Sequence, residues 1–344
     1  MKSFYSLLGI LWLLGCTTVD SSKLEDQQSS ASDESVADRV WTVVETENEP
    51  LARHENAFVE LNGNFFLIGG RNNKPINIYD PNTNTWTEGE TPPLEMHHFQ
   101  ALAFDDKIYV LGAFTGKFPH ETPIPDVYTY TPTTDQWDTV ATIPEDRRRG
   151  AAGASVYQGK IYVVGGIQDG HYDGHVTWFD EFDPANKSWT KLPDAPRPRD
   201  HFQSAIMDNK LFVAGGRNTS AKTEQTMELT IPEVDVFDFS ANQWYSLENP
   251  LPTERAGTTS VVIGNQLFVI GGESGSQVPG HDEVEVWNAA TNRWEKVPSL
   301  IQGRHGTQAD VFQGKIYIAA GSGNRGGGPE LTSLETIQVK KVEE

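Results

Sequence analysis

The sequence predicts an all-β fold made of six copies of one four-stranded antiparallel sheet set around an axis. Two observations carry that expectation. Six short apolar runs end in a pair of tiny residues, at Gly69-Gly70, Gly112-Ala113, Gly165-Gly166, Gly215-Gly216, Gly271-Gly272 and Ala320-Gly321. Six tryptophans, Trp41, Trp86, Trp137, Trp189, Trp244 and Trp294, keep step with them, and successive copies lie 43 to 56 residues apart. A period near fifty residues marks a repeat architecture, in which each unit buries its faces against its neighbours.

Within each copy two spacings do not vary. Sixteen residues before each small pair stand Arg53, Met96, Arg149, Arg199, Arg255 and Arg304. Seven residues before each tryptophan that follows a full repeat stand Tyr79, Tyr130, Phe182, Phe237 and Trp287. Fixed spacing means that insertions fall elsewhere and that these two stretches are rigid hairpins. The first hairpin turns on polar residues that tolerate positive φ, such as Asn62-Gly63-Asn64 and Gln158-Gly159-Lys160. Its second arm (IYVLG, IYVVG, LFVAG, LFVIG, IYIAA) is β-branched and aromatic, which favours strand. The second hairpin joins the aromatic-bearing strand to the tryptophan strand, as in YDPNTNTW and FDPANKSW. The four strands are called a to d.

This combination of arginine, IYVVGG, aromatic-Asp-Pro and tryptophan seven later resembles the kelch repeat, over about residues 40–342. The resemblance implies a six-bladed kelch-type β-propeller with one repeat per blade. Ala113 and Ala320 depart from the double glycine, and Trp287-Asn288 from Tyr-Asp. The sixth copy has a strand c candidate from Leu334 to Val339 and no tryptophan after it, whereas Trp41 is surplus at the other end. Arg39 to Val44 is therefore expected to supply strand d of the last blade and to remove the open edge.

The formal net charge is −21, which argues against nucleic acid as a partner. The single cysteine, Cys16, follows an apolar stretch from Phe4 to Gly15 preceded by Lys2. That stretch is too short to span a bilayer and reads as an export signal. Leu13-Leu14-Gly15-Cys16 resembles a bacterial lipoprotein box, which implies a lipidated Cys16, and Thr17 after it favours the outer membrane. Residues 17–38 are rich in Ser, Asp, Glu and Gln and cannot support a core. The expected organisation is a signal peptide at 1–15, a tether at 16–38 and the propeller at 39–344. A monomer anchored to the cell envelope is expected, with membrane contact through the lipid alone.

Tracing the strands puts the b–c loops and d–a links on one face, here the loop face, and the a–b and c–d turns on the other, the turn face. The b–c loops vary in length, and variable loops on a rigid scaffold are where binding sits. All nine histidines fall on the loop face: His54, His97, His98, His201 and His305 at the start of strand a, and His120, His171, His175 and His281 in b–c loops. The approach to strand a reads Arg53-His54-Glu55, Met96-His97-His98, Arg149-Gly150-Ala151, Arg199-Asp200-His201, Arg255-Ala256-Gly257 and Arg304-His305-Gly306. Three blades carry large polar groups and three carry Gly or Ala, so the ring is lopsided. Gln100, Gln203 and Gln308 follow deeper along the channel.

Arg53, His54, His97, His98, Arg149, Arg199, His201, Arg255, Arg304 and His305 are accordingly the candidate binding residues. A carbohydrate or other polar, anionic ligand is expected, held by the arginines. Each arginine can instead pair with a carboxylate or carbonyl of the next blade. For an enzyme, His54 or His201 would be the base and Glu55 or Asp200 its orienting group, with Arg199 or Arg304 on a carboxylate. Bacterial kelch propellers include a sialic-acid epimerase, and the resemblance to it extends to fold and export alone. The copper oxidases of kelch fold use a tyrosine crosslinked to cysteine, which this chain excludes if Cys16 carries lipid. A protein-interaction scaffold using the b–c loops is the third reading, with Phe114, Phe118 and Tyr172 as its aromatic surface. No cofactor is expected; His171 and His175 are weak metal candidates, and the Gly-rich run 321–328 lacks the Lys-Ser/Thr of a phosphate loop.

Overall fold

A computed structural model of the chain describes Met1 and residues 39–339. The expected signal peptide, Cys16 and the tether lie outside the described residues, Met1 apart. Six four-stranded antiparallel sheets form the blades. Blade 1 runs Asn56–Leu61, Asn64–Gly69, Asn77–Asp80 and Thr85–Glu88. Strands a of blades 2 to 5 are Leu102–Phe104, Gly153–Tyr157, Ser204–Met207 and Thr259–Ile263. Each strand a packs against the strands a on both sides, blade 6 against blade 1 included, so the ring is closed. Among the described residues no helix is long and apolar enough to cross a membrane.

Closure follows the expected route. Blade 6 consists of Ala309–Phe312, Lys315–Ala319, Leu334–Gln338 and, as its strand d, Thr42–Val43 from the other end of the chain. Thr42 pairs with Thr336 and Val43 with Glu335. Val44 N and Arg39 Nη1 extend the seam by donating to Leu334 O and Gln338 O.

Apolar burial is divided among the six blade junctions, with one substantial cluster in each. The seven-residue spacing has a simple origin. Tyr79, Tyr130, Phe182, Phe237 and Trp287 lie directly across the c–d ladder from Trp86, Trp137, Trp189, Trp244 and Trp294, where cross-strand aromatics gain most from contact. The strand d tryptophan also reaches backwards. Trp137, Trp189, Trp244, Trp294 and Trp41 donate Nε1–H to Glu90, Thr142, Pro193, Asn249 and Pro298 O, each in the exit from the preceding blade.

The sixteen-residue spacing is set by arginine. Arg53, Arg149, Arg199, Arg255 and Arg304 each donate to the carbonyl of the first small residue of their own blade, Gly69, Gly165, Gly215, Gly271 and Ala320. Each guanidinium also meets a polar side chain on strand c: Asn77, Asp180, Asp235, Glu285 or Glu335. These five arginines are buried inside the blades, which corrects their expected place at a ligand. Burial lowers Arg53, Arg149 and Arg199 to about 10, so they remain cations at neutral pH. Blade 2 replaces both partners at once. Met96 stands for the arginine, and Tyr128, opposite Val110, stands for the acid. Both join the apolar cluster between blades 1 and 2.

The residues just after each arginine form the mouth. Glu55, His98, Ala151, His201, Gly257 and Gly306 all lie in the left-handed region, with φ between 51° and 63°. They are linked around the channel by backbone bonds: His98 N to Glu55 O, Ala151 N to His98 O, His201 N to Ala151 O, Gly257 N to His201 O, Gly306 N to Gly257 O and Asn56 N to Gly306 O. Glycine is the unstrained choice here, and blades 5 and 6 use it. Blades 1, 2 and 4 place Glu or His there instead.

Two stability measurements follow. Arg255→Met is expected to cost about 3–5 kcal/mol by urea titration, because Glu285 is left buried and unpaired; adding Glu285→Tyr, the blade 2 solution, should recover most of it. At Glu55, His98 and His201, the glycine variant should be more stable than the alanine variant by about 1 kcal/mol, the reverse of an ordinary strand site. Equal or greater stability of the alanine forms would show that the ring is unstrained.

Candidate functional site

The channel is floored, not open. Gln100 Oε1 accepts from Ser204 N and its Nε2 donates to Ser204 O, at 3.0 and 2.9 Å. Gln308 makes the same two bonds to Ala101, both 3.0 Å. Gln203 Nε2 donates to Thr307 O at 3.4 Å, and Thr259 Oγ1 donates to Gln203 Oε1. Blade 2 is thereby tied to blade 4, blade 4 to blade 6, and blade 6 to blade 2. The glutamine triangle separates a turn-face cavity of about 380 Å³ from a loop-face cavity of about 540 Å³.

The loop-face cavity is walled by His54, Glu55, Arg71, His98, His171 and Glu273, with Phe118 and Met227 as apolar surface. His201 lies just beneath, beside His98 and Glu55. Three imidazoles converge: the His98, His171 and His201 rings are 4.6 to 5.0 Å apart. His171 Nε2 and His201 Nε2 are 3.0 Å apart. Glu121 Oε2 accepts from His171 Nδ1 at 2.7 Å, and Asp200 Oδ1 accepts from His201 Nδ1. His98 Nδ1 meets His97 Nδ1 at 2.6 Å, and His97 Nε2 lies 3.1 Å from Gly116 O. His98 Nε2 has no hydrogen-bond partner among the described residues, and Glu55 Oε2 lies 3.1 Å from it.

Charge in this region is arranged in opposed pairs. Arg71 is paired with Glu121, and Arg217 with Glu273. Burial pushes Glu121 and Asp200 upward, but His171 and Arg71 outweigh it for the first and His201 and Arg217 for the second, and both are held at about 2. Glu273 is depressed further: burial opposes, and His305 and Arg217 prevail. Burial, then Arg71, lowers His97 to about 4. Burial and the neighbouring imidazoles push His98 well below its usual value, and burial and Arg217 lower His201. These histidines are neutral at pH 7. Four carboxylates, Glu55, Glu121, Asp200 and Glu273, thus share this region with two arginines, Arg71 and Arg217, and with the imidazoles of His171, His175 and His305.

The sequence-derived residues divide cleanly. His54, Glu55, His97, His98, Asp200, His201 and His305 gather at the mouth. His54 is oriented by Glu330, 2.8 Å away, and His201 by Asp200. His305 Nε2 faces Asn324 O and Gly326 O, both at 2.9 Å, and Gly326 N donates to Glu273, so the Gly-rich run walls the cavity. Of the two loop histidines, His171 joins the centre, whereas His175 Nε2 donates to Thr219 O at 2.6 Å. His120 is exposed beside Asp169, and His281 is engaged by Ser274 and Glu283. Phe114 is fully buried, Tyr172 half-buried, and Phe118 exposed over the His171 ring.

Sequence reasoning overlooked Arg71, Glu121, Arg217 and Glu273. Three of them share a place that was readable, the position directly after the small pair. That position pairs with the second residue of its own blade's approach triplet, as Arg217 does with Asp200 and Glu273 with Ala256. Glu121 has no such register. It reaches His171 because Gly170 lacks a Cβ, which would lie 2.3 Å from Glu121 Oε2.

Comparison with known proteins agrees with this architecture. The family model for the Attractin/LZTR1 beta-propeller matches residues 11–279. Kelch-like protein terF of Aspergillus terreus is 31% identical over 294 residues, covering 78% of this chain and 61% of that protein. Spermatocyte protein spe-26 of Caenorhabditis elegans is 25% identical over 252 residues, covering 72% and 41%. Beta-scruin of Limulus polyphemus is 27% identical over 295 residues, covering 78% and 30%. The chain thus spans 61% or less of the length of these curated relatives. The solved structure of YjhT superposes with a TM-score of 0.71 at 17% identity, covering 84% of this chain and 95% of its own. With six blades, the arginine and tryptophan registers and this family match in hand, the chain belongs to the Attractin/LZTR1 β-propellers, among the kelch-repeat proteins.

Proposed function

We propose that the loop-face cavity binds a polar small molecule, with carbohydrate as the class that fits it best. One observation carries the reading: Glu55, His98 and His201 occupy strained positions where the other blades use Gly or Ala, and their side chains line the cavity and its base. A pocket with convergent polar groups and some apolar wall suits a sugar, whose hydroxyls bond and whose C–H face packs on Phe118 and Met227. The anionic character expected of the ligand loses its basis. The five arginines are engaged inside the blades, and the mouth's Arg71 and Arg217 are already paired with Glu121 and Glu273, so a neutral polyol suits it better than an acid. Acid–base turnover by His201 with Asp200, or His54 with Glu330, is compatible with the same pocket. Depth and burial favour this reading over a protein scaffold.

The test is a thermal-shift and calorimetric screen of neutral and acidic saccharides on the full-length chain. At least one neutral saccharide should raise the melting temperature. Glu55→Gln and Phe118→Ala should each weaken its binding about tenfold or more, while Asp310→Asn on the turn face should not. If no saccharide shifts the melt, or Glu55→Gln binds as tightly as the parent, the reading fails.

Lipid anchoring at the cell envelope, with the outer membrane favoured, is proposed on the Leu13-Leu14-Gly15-Cys16 motif alone. Cys16→Ser should move the protein from the membrane to the soluble fraction; unchanged fractionation would refute the anchor.

A further inference from the structure

We propose that His98, His171 and His201 form a binding site for one divalent transition-metal ion, with its open coordination position facing the loop-face cavity. The site goes beyond saccharide binding and does not rest on it.

The argument begins with tautomers. Glu121 accepts the Nδ1 proton of His171, and Asp200 accepts that of His201. Each Nε2 is then a bare lone pair, yet the two Nε2 atoms are 3.0 Å apart. Two lone pairs at that separation repel unless a cation lies between them. The third imidazole is less constrained: His97 Nε2 lies 3.1 Å from Gly116 O and 3.3 Å from Arg71 Nη1. A bound metal requires the tautomer in which His97 Nε2 donates to the carbonyl and His97 Nδ1 accepts the His98 Nδ1 proton. That directs a lone pair outward from His98 Nε2, the buried atom with no hydrogen-bond partner among the described residues. One ligand nitrogen from each of the three rings lies within 4.8 Å of the others. Around a tetrahedral ion with bonds of about 2.0–2.1 Å, neighbouring ligands sit about 3.3–3.4 Å apart, so the 3.0 Å pair opens slightly and the third nitrogen, within 4.8 Å, closes onto them.

Two further features match a metal centre. A carboxylate behind a ligating imidazole fixes the ring and strengthens the donor, and here two of the three rings have one. The carboxylates of Glu55, Glu121, Asp200 and Glu273 around the site favour a cation there. Three neutral imidazoles select a borderline ion of the zinc, cobalt, nickel or copper type over magnesium or calcium. Three protein ligands with a fourth position toward a cavity is the arrangement of a site that takes water or a ligand oxygen, unlike a closed structural site. Glu55 Oε2, 3.1 Å from His98 Nε2, is placed to accept a hydrogen bond from that water or hydroxyl.

The test uses the full-length chain stripped with chelator and titrated with Zn²⁺ and then Co²⁺. One ion per chain should bind, and the cobalt form should show the intense visible bands of a four-coordinate site. Zinc-edge X-ray absorption should show three imidazole nitrogens at about 2.0–2.1 Å. His171→Ala and His201→Ala should each weaken affinity by more than about 100-fold, and Glu121→Gln by about 10–100-fold through ring positioning. His120→Ala and His281→Ala should leave affinity unchanged. Absence of stoichiometric binding, as a shared proton between His171 and His201 would give, overturns the proposal, and so does unaltered affinity in His171→Ala. Where a variant fails to fold, the absorption spectrum of the unmodified chain decides: a shell without three imidazoles overturns it. Metal content and spectrum are read without saccharide, so a failed saccharide screen leaves this outcome intact.

Discussion

A single backbone carbonyl per blade links the repeat to the ring. The residue at the arginine position holds its own blade through its side chain and the neighbouring blade through its main chain. Gly70, Gly166, Gly216, Gly272 and Gly321 donate N–H to the carbonyls of Met96, Arg199, Arg255, Arg304 and Arg53 in the next blade. At Gly69 and Gly271 the first small residue must lack bulk for the same reason, since a Cβ would lie 2.4 Å from such a carbonyl, whereas blade 6 takes Ala320 there. Arginine and the double glycine are thus two halves of one joint. The mouth is placed by it, because the joint is the first residue of the triplet whose third residue turns left-handed around the channel.

This joint explains how far the sequence could be read. Spacings of sixteen and seven were legible because hydrogen-bond registers admit no insertion, and so blade number and N-terminal closure followed. The direction of a side chain was not legible. Arg199 and His201 are two residues apart and equally polar in the sequence, yet the first points into the blade and the second into the channel. A clue was present nine residues before each tryptophan, where Asp180, Asp235 and Glu285 wait for the arginines. Met96 and Tyr128 change together in the one blade that lacks the arginine, so no carboxylate is left buried there without its cation.

The candidate centre was half visible. Its strand a histidines and its lopsided character come from position within the repeat. His171 and Glu121 come from irregular loops that carry no register, and only the folded chain brings them beside His98. The choice between His171 and His175 rests on Gly170 and on Thr219, both outside the repeat pattern. Residues that serve the scaffold obey the period; those that depart from it concentrate at the candidate site.

The glutamine triangle makes the propeller axis a blind vestibule, not a conduit. Alternate blades are clasped across the centre by Gln100, Gln203 and Gln308, so traffic between the two faces would require breaking all three clasps together. Anything that reaches the histidines must arrive and depart by the same doorway, beneath the loops carrying Phe118, Met227 and Gly326. A ligand held at the histidines would therefore exchange past these loops, and insertions in them would change its path while the ring beneath is left untouched.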